Sequence, residues 1–260
     1  MTRFIPLSKE EHAELKLKPL EDLFDFSSEH LLPIYGAEVV QLSRMVPIVI
    51  SRKEKDPAYS LSILCSIGGS SPNVWITPDG KWMGDYVPAC ILHSPFTMLL
   101  SEDNQRRVLC IDEDSNRLGP EGQSLLEGGE PTEFLSQQIA SLNSLFDNGK
   151  QTQALLDLID ELNLIVPLTI NVKREDGEDS TLEMIFRVDE QKLNNCEDET
   201  WLKLKHAGAM SLIYGHLISL GHIKTVARLH SIRSGSVQTN MEPLDTLFGE
   251  EEGNLNFDGL

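Results

Sequence analysis

The sequence predicts an α+β fold: a largely antiparallel sheet with a helical hairpin and a C-terminal helical segment. Three observations predict it. Short β-branched runs separated by turn signals crowd the first half, and apolar residues recur at helical spacing from Pro131 onward. Near the end, 207–223 holds no residue charged at neutral pH. At 260 residues, 40% of them hydrophobic, the chain suffices for one domain with an appendage. The division read here is a single domain over 1–233 and an acidic tail over 234–260.

Taken in order, residues 1–44 mix charge with apolar clusters (Leu15, Leu17, Leu20, Leu23, Phe24, Phe26) and read as an arm laid over a core. His12 and His30 in this arm read as solvated or capping groups, and 33–38 as loop. Two runs, 45–50 and 59–67, read as antiparallel strands joined by an exposed charged loop. Gly68-Gly-Ser-Ser71 lacks the lysine and the following helix of a phosphate loop and reads as a plain break. Val74 to Thr77, the turn Pro78-Asp79-Gly80 and Lys81 to Met83 form a hairpin signal. Pro88 and Pro95 forbid a long helix between them. Arg106 to Ile111 is a further strand, running into the acidic loop Asp112 to Gly122.

From Phe134 to Phe146 and again from Thr152 to Leu164 the apolar period is helical, and Asn148-Gly149 between them reads as a left-handed stop. That makes 131–164 a helical hairpin. Residues 165–173 and 181–188 flank a charged turn and read as a β-hairpin. Trp201, Leu202 and Leu204 lead a helix that Gly208 interrupts. The uncharged stretch after it is too short and too polar to span a membrane and reads as a buried helix.

The net charge of −19 opposes nonspecific binding to nucleic acid or anionic lipid, both of which need a positive surface. The charge is uneven. Thr200 to Arg233 carries five cations and no acid, and the tail carries six acids with no lysine or arginine. A tail docked on that basic helical face is one expectation, and two solvated surfaces the other. Residues 1–20 show no uninterrupted apolar core with a cleavage site, so no secretory signal is read and the cytoplasm is the expected compartment. Cys65, Cys90, Cys110 and Cys196 lack metal or redox spacing and read as reduced packing thiols.

No nucleotide, nucleophile-elbow or zinc-protease motif occurs. Asp112, Glu113 and Asp114 lack the alternation of a calcium loop. Trp82, Tyr86 and His93, with Phe96 behind them, offer aromatic walls and polar handles for a small molecule or peptide, against a competing reading as corner packing. His216 in an apolar run reads as a hydrogen-bonded core histidine or as a site group, with Tyr214 beside it. On one unbroken helix His216 and His230 stand too far apart to share a metal. No metal and no cofactor is expected.

Motifs spread along the chain resemble the SapC family of bacterial proteins. They are His12 before the arm, Val46-Pro47-Ile48-Val49, Asp79-Gly80-Lys81-Trp82, Tyr86-Val87-Pro88 and Pro95-Phe96. Further along come Cys110-Ile111-Asp112-Glu113, Glu121-Gly122 with Leu125-Leu126-Glu127, Tyr214-Gly215-His216-Leu217-Ile218-Ser219-Leu220, and Asn256-Phe257-Asp258. One departure is plain: members of the family carry arginines just before the Pro-Phe pair, where this chain has Leu92-His93-Ser94. By its name the resemblance implies S-layer or peptide export. Companion genes resembling tryptophan halogenases and outer-membrane receptors imply an accessory role in peptide or protein modification. The expected function is therefore a non-enzymatic accessory or binding protein that recognises a peptide or protein partner. The alternative is a small modifying enzyme, oxygenase-like or partnered with a halogenase-like enzyme, using a histidine-containing site.

Overall fold

A computed structural model describes residues 4–53, 56–67, 72–173, 179–181 and 184–234. The first half is strand-rich: β1 (Phe4–Pro6), β2 (Lys16–Leu17), β3 (Leu31–Pro33), a short helix α1 (Val39–Leu42), then β4 (Ile48–Lys53) and β5 (Asp56–Leu64). After α2 (Ala89–Leu92) come β6 (Phe96–Leu100), β7 (Arg107–Asp112), β8 (Leu118–Gly119), β9 (Gln123–Ser124), β10 (Leu126–Glu127) and β11 (Glu130–Pro131). The second half holds α3 (Glu133–Glu161), β12 (Ile165–Pro167), β13 (Asn171–Lys173), β14 (Asp179–Thr181) and β15 (Ile185–Val188). It closes with α4 (Glu190–Asn194), α5 (Asp198–Ala207), α6 (Met210–Ser219) and α7 (Ile223–Ser234).

Every strand pairing among the described residues is antiparallel, as an α+β fold requires. The main sheet runs β12-β15-β4-β5-β3, so the early and late β-rich sections meet at the β15–β4 pair. In β4 the consecutive residues Ile48, Val49 and Ile50 are all buried. A strand buried at successive positions is covered on both faces, and its unbroken β-branched run records that in the sequence. Helix α6 packs on β4 and β15, and α3 packs on β5. A smaller sheet, β1-β7-β6, also packs against α3.

The apolar residues fall into two clusters. The large one gathers the main sheet with Leu156 and Ile159 of α3 and the inner faces of α6 and α7. The small one gathers Leu17, Phe96, Met98, Ile111, Leu125, Leu126, Leu135 and Leu142. Helix α3 belongs to both, its first half in the small core and its second half in the large.

That corrects one expectation. Within 131–164 lies one helix of 29 residues, Glu133–Glu161, rather than a hairpin. Asn148-Gly149 does not turn, because each residue is held in the ladder by its surroundings. The Asn148 side chain donates to Ser144 O (3.0 Å), and Thr152 Oγ1 donates to Asn148 O (2.7 Å) and accepts from Gly36 N–H (2.8 Å). Gly149 lies under the Tyr35 ring, where an added Cβ would meet Cε1 at 3.2 Å. The glycine marks a close approach between elements instead of a stop. Thr132 caps the helix, accepting from Leu135 N–H.

The hairpin expected over 74–83 is reduced to a tight turn with a single bridge, Ile76 to Trp82, and no strands. The second β-hairpin is present but split, β12 pairing with β15 and β13 with β14. Gly208 ends α5 in the left-handed conformation, as expected. The phosphate-loop test segment Gly68 to Ser71 and the tail from residue 235, with any docking of it on the basic face, lie outside the described residues. No helix among those described is long and apolar enough to cross a membrane.

Candidate functional site

The six residues singled out by sequence do not converge on one cleft. Trp82 and Tyr86 pack against the large core. Tyr86 Oη donates to Glu38 Oε1 (3.1 Å), and the same carboxylate accepts Ala89 N–H (2.8 Å) and, through Oε2, Tyr35 N–H (2.9 Å). Glu38 is buried and lies in a segment that reads as loop, so only the structure shows that it pins 86–89 to the start of α1. Burial first, and the nearby Glu38 carboxylate second, push both the Tyr86 phenol and the Cys90 thiol up to about 12. Burial likewise raises Cys65 well above the ordinary thiol range. Raised this far, these thiols remain protonated at neutral pH, which disarms them as nucleophiles. The indole Nε1 of Trp82 is buried without an acceptor among the described residues.

Of its two readings, His216 takes that of the hydrogen-bonded core histidine. It is fully buried, and its ring bridges two strands. Nε2 accepts Val188 N–H (3.1 Å) and Nδ1–H donates to Ile48 O (2.8 Å). The β15–β4 register, Ile185 to Ser51 and Phe186 to Ile50, places Val188 opposite Ile48 when continued. The imidazole therefore stands in the sheet ladder where the two strands have splayed. Ser219, three residues on, accepts Ile48 N–H (2.9 Å) and donates to His216 O (2.6 Å). Burial lowers the His216 pKa to about 4, which keeps the ring neutral for this double role. With both nitrogens committed to backbone, it has nothing left for a ligand. Gly215 beside it admits Val39 of α1, whose Cγ1 would stand 2.3 Å from an added Cβ. Tyr214 lies on the exposed face of α6.

Phe96 does reach a cleft, and His93 stands at its edge. A hollow of about 500 Å³ is lined by Leu17, Lys18 and Pro19, by Leu92, Ser94 and Phe96, by Arg117, Gly122 and Gln123, and by Phe134 and Gln138 of α3. His93 Nδ1–H donates to Gln138 Oε1 (2.9 Å), tying the α2 corner to α3. The floor is the β8-β2-β9 ribbon, in which Lys16 and Leu17 are paired on both sides. Gly122 makes that ribbon possible. Its φ is 108°, and a Cβ there would stand 2.2 Å from Leu17 O.

Arg117 was hidden in the sequence inside an acidic loop. Its Nη1 donates to Ser94 O, and Nε (3.3 Å) and Nη2 (3.1 Å) donate to Lys18 O. It thus laces three walls of the cleft together. Among the described residues no carboxylate pairs with it; Asp25 acts on it only at longer range, and burial lowers its pKa. Among the described residues no acidic one lines the cleft, in a protein of net charge −19. A second hollow of about 410 Å³, near Leu7 and Leu109, also has basic walls. There, Lys9 is matched by Glu130 (2.8 Å) and Arg107 by Asp147 (2.5 Å).

Two further polar groupings lie apart from the cleft. His30 Nδ1 and the Ser66 hydroxyl share a short hydrogen bond, the arrangement of a base beside a nucleophile. Ser66 is fully buried, so the pair works as a strand-end clasp between β3 and β5. His222 Nε2 bonds Ser43 O (3.2 Å), and no group of three or more His, Cys, Asp or Glu among the described residues is placed to hold a metal ion. No curated protein and no solved structure matches the chain. A family model described as SapC matches residues 7–226, a span that takes in both cores, the cleft and the His216 bridge, and the chain belongs to the SapC family.

Proposed function

We propose that this chain is a non-enzymatic accessory protein of the cytoplasm that recognises a peptide segment of a protein partner, and that it does so in the cleft between β2, the α2–β6 corner and α3. The observation that carries this reading is the lining of the cleft. Leu17, Leu92, Phe96 and Phe134 supply apolar wall, and Arg117, Gln123 and Gln138 supply the few polar handles that fix orientation in a binding site. Leu92 is 53% exposed at the rim, available to a partner at no cost of unfolding. The rival reading, a modifying enzyme with a histidine site, leaned on His93 and His216. His216 is spent on backbone, and His93 is tied to Gln138.

The test is a peptide-library selection on the purified full chain, followed by titration of the selected peptides. Leu92→Asp is expected to weaken them at least tenfold, and Ile218→Ser, at an exposed apolar position of α6, to leave them unchanged. Peptides indifferent to Leu92→Asp would remove the cleft from the account. Elemental analysis and an absorption spectrum of freshly purified protein address the rival, since a stoichiometric transition metal or flavin would favour it.

A further inference from the structure

Arg117 reaches the cleft with no carboxylate in ion-pair contact among the described residues. A guanidinium has five N–H donors, and three are given to the carbonyls of Ser94 and Lys18. One N–H on each of Nη1 and Nη2 remains. Carbonyl oxygens satisfy donors but do not neutralise a cation, and a partly desolvated charge without a counterion is costly. Two other cations of the small-core region do have acids beside them, Lys9 with Glu130 and Arg107 with Asp147. Among the described residues Arg117 does not. The neighbouring acids are otherwise placed: Glu121 faces Lys18 at 3.8 Å on the exposed rim, and Asp25 acts only at longer range.

The shape of the cleft adds a second requirement. Phe96 and Phe134 are aromatic walls, and Leu17 and Leu92 line the cleft from the segments whose Lys18 and Ser94 carbonyls tether the guanidinium. A bare anion leaves those surfaces wet, and a purely apolar ligand buries the cation without a partner. Resting on the reading of the cleft as a peptide site, we infer that its ligand is a partner's peptide segment in which a side-chain carboxylate adjoins an aromatic or large aliphatic residue, the carboxylate pairing with Arg117 and the apolar side chain seated against Phe96 and Phe134. Charge-assisted hydrogen bonds of this kind give specificity along with affinity, and they fade with salt when the rim is open.

The probes are Ac-Gly-Leu-Phe-Asp-Gly-amide and its Asn twin, titrated into the full chain at low and moderate salt with affinity read by calorimetry. The Asp peptide is expected to bind at least tenfold tighter than the Asn peptide, with the margin shrinking as salt rises. Arg117→Gln abolishes the margin and leaves the Asn peptide's weaker binding in place. Arg117→Lys, which keeps the charge and loses the fork, retains part of it and guards against a variant that fails to fold. Equal affinity for the two peptides overturns the inference while leaving the peptide-site reading intact. Binding of neither peptide to the wild type or any variant overturns both. An Asp preference that survives Arg117→Gln places the anion elsewhere. A wild type blind to the Asp peptide that responds once Phe257 and Asp258 are both replaced by Ala assigns the cleft to the chain's own segment and overturns the partner assignment.

Discussion

In the large core the buried polar side chains meet partners on other elements, the Trp82 indole N–H excepted among the described residues. Ile48 offers its N–H to Ser219 and its carbonyl to His216, while Val188 N–H goes to the other nitrogen of the same ring. Ser51 and Ser62 bond one another (2.8 Å), and Glu38 collects three donors. At the mouth of the small core, Arg117 holds two carbonyls, and two of its N–H groups have no partner among the described residues. The difference teaches where to look for function. Satisfied polar groups fix one arrangement of strands, and a polar group left partly open at a rim is a site waiting for its complement.

The contrast breaks or sharpens at four places. The largest effect belongs to His216→Ala, which strands a buried N–H and a buried carbonyl and opens a cavity, at a cost of about 4 kcal/mol in denaturant unfolding. The same ring gives a pH signature. Its pKa is about 4 in the folded chain against an ordinary 6.5, so the unfolded state binds the extra proton between those values. Stability is full above about pH 6.5 and falls on acidification toward pH 4 by up to about 1.4 kcal/mol per unit from this group. His216→Gln flattens that slope; an unchanged slope would show that other groups dominate the window.

Next comes Glu38→Ala, expected to cost about 2–3 kcal/mol because it deprives two backbone N–H groups and the Tyr86 hydroxyl of their acceptor. Hydrogen exchange at Ala89 should accelerate with it, and an amide that stays protected would show that the 86–89 corner is held by packing alone. Arg117→Gln is expected to change stability by less than about 1 kcal/mol, since relief of a desolvated charge offsets the lost carbonyl bonds. A drop of several kcal/mol would make Arg117 a structural lace and nothing more. The smallest effect is Gly149→Ala. Helix propensity favours alanine by about 1 kcal/mol, and crowding against Tyr35 offsets it, leaving a net change within about 0.5 kcal/mol. A loss well beyond that would locate strain where the two halves of α3 join.

Much of the architecture was legible because periodicity records burial locally. The runs 45–50 and 106–111 overlap β4 (Ile48–Lys53) and β7 (Arg107–Asp112), and Gly208 stops α5 where the sequence interrupts the helix. Asn148-Gly149 misled because a glycine serves equally as a left-handed cap and as a bare surface for a ring, and Tyr35, more than a hundred residues away, decides which. The candidate site was less legible. Phe96 and the Leu92-His93-Ser94 departure pointed to the α2–β6 corner, but Arg117 sat in an acidic loop, its lone cation being the available signal. Glu38 carried no signal at all. His216 did, as a lone histidine in an apolar helix, and the register of β15 on β4 decides that it mends a ladder.

Arg233, near the end of α7, donates through Nη1 to Asn73 O (2.8 Å) and through Nη2 to Val74 O (2.8 Å) and Ile76 O (2.7 Å). The clasp closes a loop of 160 residues, the kind of contact whose chain entropy must be met before it returns any stability. The part of the aromatic turn at 73–83 that Arg233 holds is therefore expected to settle late in folding. Kinetically, Arg233→Ala should speed unfolding and leave the folding rate nearly unchanged, the mark of an interaction formed on the far side of the barrier.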